Sequence, residues 1–285
     1  LGVLALAVRV LSTADFAELA LASTLGWILA VVTDFGLQVH LAKVVARALA
    51  EAGSHVWPLV RRRAISLTAG IAVAGVVSWA WKPHDIAAAC AVIAGSFVAS
   101  AFVEFLNYAY RGLRRTDLES LLNFSQRLLT LALAAVWLPR WPSLATVAMA
   151  LVVPPCLTGV ASLLILRRLA PAGPATDVTD DAATLARAVA PIGAGIVLST
   201  LYLRIDVFLL ARCSGAEAVA HYGALFRMLD ALRLFPAALL AVMTARMFHG
   251  RDVVFLRRIS LGLLAFGVVV GATLFLAAPV VVPLA

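Results

Sequence analysis

The sequence predicts an all-α membrane protein, built as a bundle of transmembrane helices. Of its 285 residues, 63% are hydrophobic and only 13% are charged, and the mean hydropathy is +1.01. Such a chain has too little polar surface to cover a soluble globule. The apolar residues also fall in long runs, and a helix of about 20 apolar residues spans about 30 Å of hydrocarbon. These observations exclude the soluble fold classes.

The apolar runs predict about nine helices. Leu1 to Val10 is apolar but too short to span a bilayer, and it has neither a Met nor the charged start of a signal peptide, so we expect the end of a truncated first helix. The final run reaches Ala285 with no polar residue after it, so we expect truncation there as well. The eight nearly whole helices are predicted at residues 16–40, 64–81, 86–110, 118–138, 143–166, 188–211, 218–243 and 259–285.

Lys and Arg in the connections alternate between the two sides of the predicted bundle. One side carries 15 of them, including the run Arg61 to Arg63, which we place in the loop before the third helix. Because positive charge resists translocation, this side is predicted to be cytoplasmic, and its basic runs are interpreted as anchors at anionic lipid instead of a nucleic-acid surface. The other side has four, in short connections: Arg9, Lys82, Arg140 and Arg212.

The longest polar connection, residues 169–187, divides the chain. It contains Pro171, Gly173, Pro174 and three aspartates, a composition that buries little apolar surface. We predict a cytoplasmic linker between a first lobe at residues 1–168 and the start of a second lobe at residues 188–285.

Nothing in the sequence predicts a catalytic or metal site. The three cysteines are scattered without a CxxC pair, and the five histidines lack metal-ligand spacing. No nucleophile can be placed beside a base. We therefore predict a protein that is not an enzyme and has no cofactor.

Four arginines are predicted at bilayer depth: Arg127, Arg204, Arg227 and Arg233. A charge there costs at least about 2.5 kcal/mol, so it faces a cavity or a partner. The forked, permanently charged guanidinium suits a diphosphate. We predict that Arg127, Arg204 and Arg227 line a cavity for an anionic lipid head group, with Asp206 beside them.

Ion pairing is the alternative for these arginines, because four carboxylates match them in number. Arg227, Asp230 and Arg233 stand at helical spacing and can pair within one helix. In the fifth helix, Asn123 shares a polar stripe with Ser120 and Arg127. We interpret that stripe as cavity lining, and interhelical hydrogen bonding is the alternative.

Three carboxylates, Asp34, Glu104 and Asp230, are candidates for binding a coupling H⁺ or Na⁺. Asp34 lies near the end of the second helix in Thr33-Asp-Phe-Gly, and Glu104 lies in the fourth helix about 9 Å from its cytoplasmic end at about 1.5 Å per residue. A capping or interhelical role is the alternative for Asp34 and Glu104.

Several motifs together carry a family resemblance. They are Arg9-Val-Leu-Ser-Thr-Ala-Asp-Phe, Thr33-Asp-Phe-Gly-Leu, Tyr110-Arg-Gly-Leu-Arg-Arg-Thr-Asp-Leu-Glu and Leu203-Arg-Ile-Asp-Val-Phe-Leu-Leu. In this order they resemble the Wzx-type oligosaccharide-lipid flippases of the multidrug/oligosaccharidyl-lipid/polysaccharide exporter superfamily. The resemblance implies two lobes of six helices, of which the chain lacks most of the first helix and the last three or so, in a bacterial inner membrane.

The resemblance also implies a function: alternating-access translocation of a polyprenyl-diphosphate-linked oligosaccharide for surface polysaccharide synthesis. The expected partners are the bilayer and this lipid-linked substrate, for a monomer associated with glycan polymerase machinery. A cation-coupled drug or metabolite antiporter of the same superfamily is the first alternative. An integral-membrane glycan-synthesis enzyme is the second, which the short outer loops disfavour.

Overall fold

The predicted all-α fold is confirmed. The structure, a computed structural model, describes residues 2–47, 52–81, 83–171, 182–249 and 253–281, and within those residues it contains helices and no strands. The helices are α1 (Gly2–Val10), α2 (Thr13–Asp34), α3 (Leu37–Arg47), α4 (Ala52–Trp81), α5 (His84–Gly112), α6 (Thr116–Trp137), α7 (Leu144–Leu169), α8 (Ala182–His249) and α9 (Val253–Val281).

The predicted C-terminal end of the helix at residues 16–40 is wrong. α2 begins at a capped turn, where the Ser12 hydroxyl accepts the Asp15 N–H at 3.1 Å. It stops at Asp34 because Phe35 and Gly36 both take left-handed backbone angles, with φ of 43° and 82°. A left-handed residue satisfies the last helical carbonyls and redirects the chain. Residues 37–47 consequently form a separate helix, α3.

The third predicted helix starts 12 residues earlier than expected, at Ala52 instead of residue 64. The predicted loop position of Arg61, Arg62 and Arg63 is therefore wrong, since all three lie within α4. With 30 residues, α4 is about 45 Å long at about 1.5 Å per residue, which exceeds the hydrocarbon thickness. Its first turns therefore extend past the hydrocarbon.

The helices predicted at 188–211 and 218–243 correspond to the two helical segments of α8, which meet at a kink where Gly215 has non-helical angles (φ 82°, ψ −175°). The predicted break at residues 212–217 is therefore confirmed, and it lies at Gly215. α8 also begins inside the predicted linker, at Ala182; residues 172–181 of that linker lie outside the described residues.

The chain is a multi-pass membrane protein. Among the described residues, five helical stretches are long and apolar enough to cross a bilayer: Thr13–Asp34, Ala52–Trp81, Ile86–Gly112, Leu144–Leu169 and Thr184–Gly215. α6 is not one of them, since Asn123, Gln126 and Arg127 lower the hydropathy of its central part.

Residues Gly2–Ala220 form one compact unit, and His221–Ala285 belong to a second. Within the first unit α5 is the central helix, because it packs against α2, α3, α4, α6 and α7. We use the term Arg-rich end for the end of this unit where α2, α5 and α7 finish and α4 and α8 begin.

An apolar core of the first unit lies at the Arg-rich end. Two hydrogen bonds link helices around this core. The Tyr110 hydroxyl donates to the Ser162 carbonyl at 2.7 Å, and the Trp57 indole N–H donates to the Ala170 carbonyl at 2.8 Å. The core includes Leu41, Val45, Val56, Phe105, Leu106, Leu166, Leu185 and Val189. It therefore joins the start of α8 to helices of the first predicted lobe.

Candidate functional site

α2 and the turn that follows it approach α8 at successive points, and we call this line of approach the α2–α8 seam. At the Arg-rich end the left-handed turn at Phe35 and Gly36 lies against Gly193 of α8. A Cβ on Gly193 would stand 2.5 Å from the Phe35 carbonyl oxygen, so only glycine permits this approach. Close backbone contact at small residues is how helices associate in membranes.

Arg204 and Trp27 meet farther along the seam, toward the other end of the bundle. The Arg204 guanidinium carbon lies 5.7 Å from the centroid of the Trp27 ring, within the range of a cation–π contact. The Arg204 side chain is half-buried, and Trp27 is exposed. Arg204 at this depth therefore lies against an aromatic face of α2.

The seam opens into a cavity at the end opposite the Arg-rich end. The cavity has a volume of about 240 Å³, and its walls come from α2, α4, α5 and α8. They are mostly apolar, and Ser78 and Arg212 supply polar groups. The lining includes Leu21, Leu25, Ser78, Trp81, Phe208 and Arg212.

Asp34 and Arg63 form a buried ion pair between α2 and α4. The Asp34 Oδ1 and the Arg63 Nε are 3.7 Å apart, and the side chains are 9% and 0% exposed. The other carboxylate oxygen of Asp34, Oδ2, accepts the Gly36 N–H at 3.2 Å, and Arg63 Nη1 donates to the Ser66 hydroxyl at 3.2 Å. Asp34 thus acts on both α4 and the turn that follows α2.

The Asp34–Arg63 pair leaves polar atoms without hydrogen bonds. Among the described residues, Asp34 Oδ1, Arg63 Nε and Arg63 Nη2 are buried and have no hydrogen-bond partner. Unsatisfied buried groups of this kind are costly, and in membrane helices they mark ion or substrate pathways. This pair is therefore a candidate site for a proton, a cation or water.

Two other predicted carboxylates are described. Glu104 is exposed on α5 and acts electrostatically on Asp34, so two of the candidate coupling residues lie in one electrostatic environment. Asp206 is half-buried on α8, and its Oδ1 accepts the Val207 N–H at 2.8 Å.

The polar stripe of α6 makes hydrogen bonds to neighbouring helices. Asn107 Nδ2 of α5 donates to Asn123 Oδ1 at 3.0 Å. Gln126 lies one turn farther on, where its Oε1 accepts the Thr158 hydroxyl of α7 at 3.2 Å. Asn123 is consequently in the interhelical arrangement that was the alternative to cavity lining.

Of the other predicted arginines, only the Arg127 side chain lies among the described residues. Arg127 is exposed on α6, near the middle of the helix. The side chains of Arg227, Asp230 and Arg233 lie outside the described part of the chain.

The motif at residues 110–119 forms a tied connection between α5 and α6. Arg111 Nε donates to both carboxylate oxygens of Glu119, at 2.8 and 2.9 Å. Arg115 Nη2 donates to Asp117 Oδ2 at 3.0 Å, and this bond lowers the pKa of Asp117. Arg114 takes a left-handed φ of 59°. The charges of this motif therefore hold the turn in one shape.

Sequence reasoning did not identify Arg63 as a site residue, although its periodicity contains the signal. Val56, Leu59, Val60 and Arg63 fall at i, i+3, i+4 and i+7, and all four are buried. The apolar face of α4 thus continues backward through the basic run. Arg61 is exposed on another face of α4. A helical pattern extended back through residues 56–63 therefore predicts Arg63 as buried and Arg61 as exposed.

The sequence was compared with known proteins. A family model described as "Polysaccharide biosynthesis protein" matches residues 1–248. No curated protein and no solved structure matches the chain.

Proposed function

Because this chain belongs to the polysaccharide biosynthesis protein family, we propose that it carries a lipid-linked oligosaccharide across a bacterial inner membrane for surface polysaccharide synthesis. The substrate is a polyprenyl-diphosphate-linked glycan of the kind that Wzx-type flippases move. Its diphosphate is the anionic group that must be held during passage, and its lipid tail stays in the bilayer.

The observation that carries the proposal is the position of Arg204. It lies at bilayer depth on α8, half-buried against Trp27. A guanidinium at this depth is a forked donor for phosphate oxygens. In the proposed cavity Arg204 acts with Arg127, while Asp206 supplies a polar contact.

The form of the seam supports alternating access. The Phe35–Gly36 turn after α2 lies against the backbone of α8 at the Arg-rich end, and α2 and α8 flank a cavity of about 240 Å³ at the other end. In the proposed cycle the Arg-rich end opens to admit the glycan lipid, and the opposite end then opens to release it. By the positive-inside rule the Arg-rich end faces the cytoplasm.

Ion coupling is the finer part of the proposal. Asp34 and Glu104 lie in one electrostatic environment near the Arg-rich end, and Asp230 is the third candidate. A proton or Na⁺ at Asp34 changes the charge beside the seam contact. The same arrangement suits the alternative, a cation-coupled drug or metabolite antiporter, which differs from the flippase in what it carries.

Substitution of Arg204 tests the proposed substrate contact. Arg204→Ala in the intact protein is expected to reduce surface glycan in cells by roughly tenfold or more, because a hydrogen bond to a charged group contributes about 1.5–3 kcal/mol. Arg204→Lys keeps the positive charge but loses the forked donors of the guanidinium. Its surface glycan is expected to lie between the levels of wild type and Arg204→Ala.

The matched control is Arg140→Ala. Arg140 is an exposed arginine in the connection after α6, and its Nη1 donates to the Val136 carbonyl at 2.7 Å. It should leave surface glycan unchanged. Wild-type glycan with Arg204→Ala, at equal membrane expression, would contradict the role of Arg204. Wild-type glycan in cells lacking the whole gene would contradict the function itself.

A further inference from the structure

The turn at Phe35 and Gly36 is held by the same carboxylate that pairs with Arg63. Asp34 Oδ2 accepts the Gly36 N–H at 3.2 Å, while Oδ1 faces Arg63 Nε at 3.7 Å. The two carboxylate oxygens thus contact two different partners, the turn and Arg63, so a movement of one partner affects the other. Arg63 therefore orients the group that shapes the turn.

The Phe35–Gly36 turn also contacts α8 at Gly193. A Cβ on Gly36 would lie 3.2 Å from the Gly193 nitrogen, and one on Gly193 would lie 2.5 Å from the Phe35 carbonyl oxygen. Leu185 and Val189, the buried residues of α8 just before Gly193, belong to the core of the Arg-rich end. Any change in the turn is consequently transmitted to the start of α8.

The groups that face Asp34 interact differently with its ionised and its protonated form. α4 presents Arg63, α5 presents Glu104, and the backbone N–H groups of Gly36 and Gln38 act on the carboxylate as well. Burial and Glu104 oppose ionisation of Asp34, whereas Arg63 and the two N–H groups favour the ionised form. A proton on Asp34 removes the attraction to Arg63 and weakens the bonds it accepts, because hydrogen bonds to an ionised acceptor are about twice as strong as neutral ones.

We propose that Asp34 and Arg63 form a proton-binding latch for the Arg-rich end of the seam. With Asp34 ionised, the pair holds the Phe35–Gly36 turn against Gly193, and this end stays closed. Protonation of Asp34 loosens the turn and frees the start of α8. Arg63 is a positioning residue in this device, and the latch does not depend on which molecule the protein carries.

Hydrogen–deuterium exchange of the full chain in lipid nanodiscs tests the latch. Two segments are followed, residues 31–41 around the turn and residues 186–196 around Gly193. After correction for intrinsic rates, exchange in both should rise roughly tenfold between about pH 8 and about pH 5. Asp34→Asn should show the raised exchange at every pH, with no further pH dependence.

Gly193→Ala supplies a second variant that leaves the ion pair intact. Its methyl group would collide with the Phe35 carbonyl, so it should raise exchange in both segments as well, and Asp34→Asn added to it should cause little further increase. Gly195→Ala is the matched control, since a Cβ there meets nothing within 4 Å. Asp117→Asn controls for loss of a carboxylate in an exposed ion pair.

Three results would overturn the latch. One is exchange in wild type that does not depend on pH in these segments. Another is a rise confined to residues 31–41 in Asp34→Asn, which would make the pair a local support of the turn. The third is a rise in the central part of α5, residues 96–106, which would mean general unfolding. Normal glycan export alongside any of these would leave the proposed function standing.

Discussion

Arg63 shows how one buried charge constrains this protein. Its side chain is fully buried, and the structure gives it one carboxylate and one hydroxyl as partners, Asp34 and Ser66. A buried ion pair returns little net stability, because desolvation offsets the attraction. Removing one partner is different, since the other charge is then left buried alone.

We therefore expect Arg63→Ala to destabilise the protein strongly, by about 3–5 kcal/mol. Thermal unfolding in detergent, followed by circular dichroism, should show a lower Tm. Arg61→Ala is the matched control, because Arg61 is exposed on the same helix two residues away, and it should change Tm little.

The double variant Asp34→Asn with Arg63→Met tests the reason for this loss. It removes both charges together, so it should recover much of the Tm lost by Arg63→Ala. A double variant less stable than Arg63→Ala alone would contradict the ion-pair account and would point to packing of the arginine stem.

At this scale the sequence indicated which residue types matter but not their partners. Asp34 was a candidate from its depth, and its alternative role was an interhelical partner; the partner Arg63 was hidden in a basic run interpreted as a loop. Trp27 had no sequence signal to associate it with Arg204, since they are 177 positions apart (204 − 27) and meet only through the packing of α2 on α8.

At the scale of helices, close approach at glycine sets the packing of α2. A Cβ on Gly26 would lie 2.6 Å from the Ala94 carbonyl oxygen of α5. The backbones of α2 and α5 thus come into direct contact at this point, in the manner of small-residue interfaces of membrane helices.

Gly26→Ala is accordingly expected to lower stability by about 1–3 kcal/mol, the usual cost of overpacking. Gly75→Ala, in α4, is the control, because a Cβ there meets nothing within 4 Å and alanine favours a helix by about 1 kcal/mol. The two variants should shift Tm in opposite directions. Equal shifts would contradict the proposed contact between α2 and α5.

Apolar runs predicted most of the helices, but they could not predict two boundaries. The break after Asp34 depends on a left-handed Phe35, a conformation that sequence rarely signals outside glycine and asparagine. The early start of α4 was obscured because hydropathy detects the part of a helix inside the hydrocarbon, and α4 extends past it. Periodicity, which follows the buried face, detects the whole helix.

At the scale of the molecule, the first compact unit differs between its two ends. The Arg-rich end has an apolar core and a backbone contact between the Phe35–Gly36 turn and α8, and the opposite end has a cavity lined by α2, α4, α5 and α8. For the proposed transport cycle, this is an arrangement closed on the Arg-rich side. Composition and charge predicted the membrane fold, but only packing distinguishes the two ends.

The most direct test of the central claim is a flipping assay with purified protein in liposomes. A polyprenyl-diphosphate oligosaccharide carrying a fluorescent sugar label is placed in both leaflets, and a membrane-impermeant quencher reports the outer leaflet alone. The account predicts that the wild-type protein makes nearly all of the label accessible with time, that Arg204→Ala slows this by roughly tenfold, and that Arg140→Ala does not. Liposomes with wild-type protein that retain half of the label, as empty liposomes do, would contradict it.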